Sequence, residues 1–156
     1  MTHHFNLKLD GRTARLEDAQ TGALLGEIKA GHLSMGELHF ARLPLSPLAL
    51  ERAIEWTEDR IQAAGLKIPA GAQLSTQDPD VHRLAQLAGM QDAPAELHVD
   101  AVEQLFSRLV LQAHGQSPTT QDVSDSARVF ATVVLLREML HHLRFEKIRV
   151  APAALA

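Results

Sequence analysis

The sequence predicts an α+β fold, in which an N-terminal antiparallel β-meander of three to four strands is followed by about four helices, the last one long and central. Two observations support this prediction. Apolar residues alternate at period two over the first 40 or so positions, and they recur at spacings of three and four downstream. We expect one domain over residues 1–150, β-rich over 1–43 and mainly helical over 44–150, with a flexible tail at 151–156.

The strand predictions begin with Phe5, Leu7 and Leu9, which alternate with polar residues. Asp10-Gly11 directly after them is a strong hairpin signal. The alternation Leu38, Phe40 extends the pattern into a fourth segment. The predicted strands lie near residues 5–9, 12–17, 23–29 and 33–43.

The helix predictions depend on repeated start and stop signals. A capping side chain precedes a proline three times, and a glycine follows each apolar pattern. The start signals are Ser46-Pro47, Asp78-Pro79 and Ser117-Pro118, and the stop signals are Gly65, Gly89 and Gly115. The last helix is expected to cover residues 118–144.

Three segments allow more than one interpretation. Residues 95–99 could form a strand, but helical spacing continues through them, and we favour one helix over about 93–114. Residues 66–76 fit a loop or a short edge strand that contains Pro69 and Gly71. Residues 145–150 fit a short strand or a frayed tail.

Composition narrows the possible functions. Hydrophobic residues make up 46% of the 156 residues, which argues against a disordered chain, and there is no cysteine to form a disulfide or a thiolate site. A formal net charge of −4 gives no general attraction to nucleic acid or anionic membranes. We therefore expect a cytoplasmic protein with no nucleic-acid partner and no membrane association.

Two groups of polar residues are candidates for chemistry. Glu37 and His39 would share one face of the predicted fourth strand, as an acid–base pair for proton transfer would. On the last helix, Glu138 lies three positions before His141 and four before His142, so that a carboxylate and an imidazole could hold a metal on one face. Alternation along an exposed strand would also produce the first pair, and the helix dipole would favour the histidines. The sequence indicates no particular cofactor.

The apolar face of the last helix suggests self-association. Almost every residue from 129 to 136 is apolar, and the predicted sheet and helices are too few to cover all sides of this face. We therefore expect a non-enzymatic module that forms a homo-oligomer, with an unknown protein partner as a further option. The alternative is a small metal- or histidine-dependent enzyme with its site between the sheet and the last helix. The expected interface residues are Val129, Val133, Leu136 and Leu140.

Overall fold

A computed structural model of the chain describes residues 2–41, 45–113 and 123–152. The α+β class is confirmed, although the described residues form six strands rather than three to four. The strands are β1 (His4–Leu9), β2 (Ala14–Asp18), β3 (Leu24–Ile28), β4 (Gln73–Thr76), β5 (Ala95–His98) and β6 (Lys147–Val150). The helices are α1 (His32–His39), α2 (Pro47–Ala64), α3 (Pro79–Leu87), α4 (Val99–Ala113) and α5 (Val123–His142).

The six strands form one mixed sheet in the order β3-β2-β1-β4-β6-β5. The first three are the predicted antiparallel meander, while β1, β4 and β6 run parallel to one another. β5 pairs antiparallel with β6 at the far edge. Because β1 continues to β2 on one side while β4 leads to β6 on the other, the topology switches direction between β1 and β4.

Only one face of this sheet is apolar. Cross-strand partners such as Leu7 and Leu16, or Leu74 and Ile148, are buried against the helices. The opposite face carries alternate polar residues, which is typical of a sheet covered on one side. The polar positions in the three parallel strands are His4, Asn6, Lys8, Gln73, Ser75, Lys147 and Arg149.

The two helices that follow capping residues form as predicted. Ser46 accepts a hydrogen bond from the amide of Ala49 and opens α2, which ends at Gly65 with a left-handed φ of 60°. Asp78 accepts hydrogen bonds from the amides of Asp80 and Val81 and opens α3. The predicted helix start at residues 117–118 lies outside the described residues. α5 packs against all four other helices.

The predicted fourth strand over 33–43 is wrong, because residues 33–39 belong to the helix α1. The amides of Leu33 and Ser34 both donate to the carbonyl oxygen of Gly11 in the β1–β2 turn, at 2.8 and 3.3 Å. This tertiary cap satisfies amides that a helix start leaves without partners. Met35 is buried while Leu38 is 61% exposed, so the apparent alternation did not mark a core face.

Three more segments differ from the prediction. Residues 95–98 are a strand, so that the helix expected over 93–114 begins only at Val99. β4 and β6 are interior strands rather than an edge strand and a tail, since each pairs on both sides.

None of the helices in the described ranges combines the length and apolar character required of a membrane span.

Candidate functional site

A cleft of about 690 Å³ lies at the carboxyl ends of β1 and β4 and continues over the polar face of the sheet. We call it the strand-end cleft. In sheets with parallel strands, ligands bind outside the carboxyl ends of the strands, where the topology switches direction. Its lining residues include Asn6, Lys8, Leu9, Gln77, Asp78 and Arg149.

Asp10 follows β1 directly and organises the turn beside this cleft. Its carboxylate accepts hydrogen bonds from the amides of Arg12 and Thr13, at 2.7 and 2.8 Å, and from the Thr13 hydroxyl at 2.7 Å. The bonds from Thr13 and from the Arg12 amide hold the pKa of Asp10 below its ordinary value. This carboxylate is therefore ionised, and its hydrogen bonds fix the conformation of the turn.

Asp78 follows the end of β4 by two residues, and its carboxylate is only partly engaged. The Oδ1 atom accepts hydrogen bonds from the amides at the start of α3, whereas Oδ2 accepts no hydrogen bond from the described residues. Burial, which outweighs those amide bonds, and the charge of Asp80 raise the pKa of Asp78. The Thr76 hydroxyl, bonded to the carbonyl of Leu7 at 2.8 Å, ties this loop to β1. Asp78 thus presents a carboxylate with elevated proton affinity.

His32 and Arg128 lie within electrostatic reach of Asp78 and Asp80 but line a different pocket from the strand-end cleft. Burial lowers the pKa of His32, and the nearby positive charge of Arg128 lowers it further, against a smaller opposite effect of the carboxylates of Asp78 and Asp80. Arg128 binds Asp80 with two hydrogen bonds, from Nε at 2.8 Å and from Nη2 at 3.1 Å. The imidazole is therefore neutral at neutral pH, beside a fixed guanidinium.

Glu37 and His39, the predicted acid–base pair, do not face each other. Two positions apart on α1, they point to opposite sides of the helix. Glu37 is exposed and binds the Arg12 guanidinium through both carboxylate oxygens, at 2.9 and 3.2 Å. The centres of the His39 and Trp56 rings lie 5.6 Å apart, and burial lowers the pKa of His39. The two residues appeared to share a face only because the sequence predicted a strand over residues 33–43, where the structure has a helix.

The predicted metal ligands on α5 are brought together in part. Glu138 and His142 share one face, with their closest side-chain atoms 3.5 Å apart, whereas His141 is exposed. The partner that sequence reasoning missed is Glu58 of α2, whose carboxylate lies 3.6 Å from the same imidazole nitrogen. A separation of 80 positions along the chain left no local signal for it.

The residues expected to form an interface lie against the chain's own core. Val133, Leu136 and Leu140 are fully buried, and Val129 is half-buried beside them. Four other helices cover the apolar face that motivated the prediction of self-association.

Similar proteins were found by structure alone. No family model matches the chain, and no curated protein matches it by sequence. A Ppx/GppA family member from Aquifex aeolicus superimposes with a TM-score of 0.74 at 11% identity, covering 97% of this chain and 53% of that chain. The chain has the fold of about half a Ppx/GppA protein. An exopolyphosphatase-like protein gives 0.73 at 14% identity, covering 97% and 55%, and an exopolyphosphatase from Cytophaga hutchinsonii gives 0.66 at 12%, covering 99% and 54%.

The Ppx/GppA fold corrects the functional prediction. The non-enzymatic module that self-associates through α5 is wrong, because the matching structures are enzymes and the α5 face is buried within the chain. The alternative prediction, an enzyme, agrees better with this fold. The strand-end cleft lies on the polar face of the sheet, opposite the helices, and so not between the sheet and the last helix, where that alternative placed its site.

Proposed function

We propose that this chain hydrolyses phosphoanhydride bonds, with linear polyphosphate as the substrate class, at the strand-end cleft. The observation that carries the proposal is Asp78, a carboxylate with a raised pKa and an unengaged oxygen at the switch point of the sheet. The names of the structurally similar exopolyphosphatases support the choice of substrate. The chain spans about half the length of those proteins.

The charge pattern of the cleft fits an elongated anion. Lys8 and Arg149 line its wall on the polar face of the sheet, and Arg149 forms no ion pair with any described residue. Lys8 is paired with Glu17 at 3.0 Å and is largely exposed, so that it can exchange this partner for a phosphate. A polyphosphate lying along this wall would place its terminal phosphoryl group near Asp78.

The reaction follows from these positions. Asp78 accepts a proton from a water molecule, whose oxygen attacks the terminal phosphorus. The bond between that phosphorus and the bridging oxygen breaks, and the shortened polyphosphate leaves as an oxyanion. Arg128 and His32 line a different pocket, so the positive charge that faces the substrate in the strand-end cleft comes from Lys8 and Arg149.

Asp78→Asn is the variant that tests this role. Asparagine caps a helix as well as aspartate does, so that α3 should keep its start while the base is lost. Orthophosphate release from polyphosphate in the presence of Mg²⁺ should fall by about 100-fold relative to the wild type. Asp59→Asn, an exposed position on α2, is the matched control and should keep the full rate. Equal rates in Asp78→Asn and the wild type, or no release by the wild type, would contradict the proposal.

The pH dependence gives a second test. Asp78 acts as a base only when ionised, so kcat/KM should fall as the pH drops through its pKa. Because burial raises that pKa in the folded protein, the acid limb should lie above the ordinary aspartate value of about 3.9. Profiles of the wild type and Asp78→Asn would be compared, and the limb should be missing from the variant. An acid limb that persists unchanged in the variant would assign it to another group.

A further inference from the structure

Three side chains from two helices converge at a place separate from the strand-end cleft. Glu138 and His142 lie one turn apart on α5, and Glu58 reaches them from α2. One potential ligand atom from each lies within 4.8 Å of the other two, and no other trio of this kind occurs among the described residues. Glu138 is ten positions along α5 from Arg128, or about 15 Å at the rise of an α-helix.

The two distances from His142 to the carboxylates are longer than hydrogen bonds, whereas Glu58 and Glu138 are hydrogen-bonded to each other. His142 Nε2 lies 3.5 Å from Glu138 Oε1 and 3.6 Å from Glu58 Oε1, longer than the roughly 2.7–2.9 Å of a charge-assisted hydrogen bond. This nitrogen is shielded from solvent and has no hydrogen-bond partner among the described residues. With zinc bonds of about 2.0–2.2 Å, tetrahedral ligands lie about 3.3–3.6 Å apart. The two separations from His142 fit that geometry.

The neighbours of Glu138 hold it ready for such a role. Its side chain is only 3% exposed, and Arg137 Nη1 donates to Oε2 at 2.8 Å, which leaves Oε1 directed at His142. Arg137 is itself fixed by Glu103 at 2.8 Å and by the Phe106 ring, whose centre lies 3.9 Å from its guanidinium carbon. Outer partners of this kind orient metal-binding carboxylates. Glu138 is also hydrogen-bonded to the Glu58 carboxyl group, so a cation placed between the two would replace the proton that they share.

We propose that Glu58, Glu138 and His142 bind a divalent transition-metal ion, with zinc as the preferred ion. One imidazole and two carboxylates suit zinc, whereas magnesium and calcium prefer oxygen ligands alone. The side chains of Glu58 and His142 are 39% and 26% exposed, so a water molecule can complete the coordination from the solvent side. The ion would join α2 to α5.

Calorimetric titration of the tag-free chain with zinc tests the site. A His3→Ala/His4→Ala background removes the exposed histidine pair near the N-terminus, which could bind zinc independently. We expect one zinc per chain, and at least about a tenfold weaker affinity in His142→Ala and Glu58→Gln. The matched controls are the exposed neighbours His141→Ala and Glu55→Gln, which should bind as the background does.

Cobalt gives a readout that does not depend on affinity alone. Tetrahedral Co²⁺ with mixed nitrogen and oxygen ligands absorbs in the visible range, and these bands should appear in the background protein and in His141→Ala but not in His142→Ala. Far-UV circular dichroism would establish that each variant is folded; if His142→Ala is not, Glu58→Gln at the exposed end of the site replaces it. Absence of stoichiometric zinc, or equal affinities in His142→Ala and His141→Ala, would overturn the proposal.

Discussion

Leu136→Asp should leave no folded protein at 25 °C, because Leu136 is 1% exposed and sits on α5 among four other helices. Removing a buried leucine side chain costs about 2–5 kcal/mol, and burying an unpaired polar group costs a further 2–7 kcal/mol or so. Together these costs are comparable with the roughly 5–15 kcal/mol that stabilises a whole domain. Far-UV circular dichroism and size-exclusion chromatography of the variant would measure the effect.

Leu38→Asp is the matched control for that substitution. Leu38 is an exposed leucine on α1, so the same change should alter the free energy of unfolding by no more than about 0.5 kcal/mol. The two interpretations of α5 predict different results for Leu136→Asp. A folded variant that elutes at a lower mass than the wild type would show that Leu136 lies in an interface between chains, in conflict with its burial here.

Gly31→Ala should also be strongly destabilising, and we expect it to lower the free energy of unfolding by about 3 kcal/mol. A Cβ atom at Gly31 would lie 2.5 Å from the carbonyl carbon and oxygen of Gly11 and 2.5 Å from the amide nitrogen of Arg12. All three are backbone atoms of the β1–β2 turn, so a side chain cannot simply rotate away. The φ of −158° at Gly31 is extended and suits any residue, which makes the cost purely steric.

Gly36→Ala, five positions further along, should have the opposite sign. No atom lies within 4 Å of a Cβ placed there, and Gly36 is inside α1. Alanine in a helix interior is more favourable than glycine by about 0.5–1 kcal/mol. Chemical denaturation of both variants would measure the pair of effects. Equal destabilisation by the two substitutions would mean that α1 does not pack against the turn as described.

The parts of the fold that depend on local chemistry could be predicted from the sequence. Ser46 and Asp78 each supply a capping oxygen before a proline, and both open helices as expected. The β1–β2 hairpin follows from alternation and Asp10-Gly11. In contrast, β4 and β6 are four residues long with polar outer positions, and nothing local distinguishes such interior strands from a loop or a tail. Their place follows only from pairing with β1 and β5.

In the candidate sites, too, only the features that depend on neighbouring residues could be predicted from the sequence. Glu138 and His142 are one turn apart on a helix, and their shared face could be read from the sequence. Glu58 could not be added, because the packing of α2 on α5 decides which faces meet. The sequence indicated that Asp10 lies in a turn and that Asp78 caps a helix. They lie at the same end of the sheet because β1 and β4 are parallel, and the sequence did not indicate that pairing.

The position of β6 in the sheet has a consequence for the order of folding. β6 lies between β4 and β5, although it is the last of the described elements along the chain. During synthesis β5 therefore has no neighbouring strand until residues 147–150 have left the ribosome, and its buried Leu97 has no cross-strand partner before Ile148 arrives. Such distant pairing slows folding and exposes unpaired strand edges meanwhile. We expect nascent chains stopped before residue 147 to be protease-sensitive and to engage chaperones that recognise exposed apolar strands.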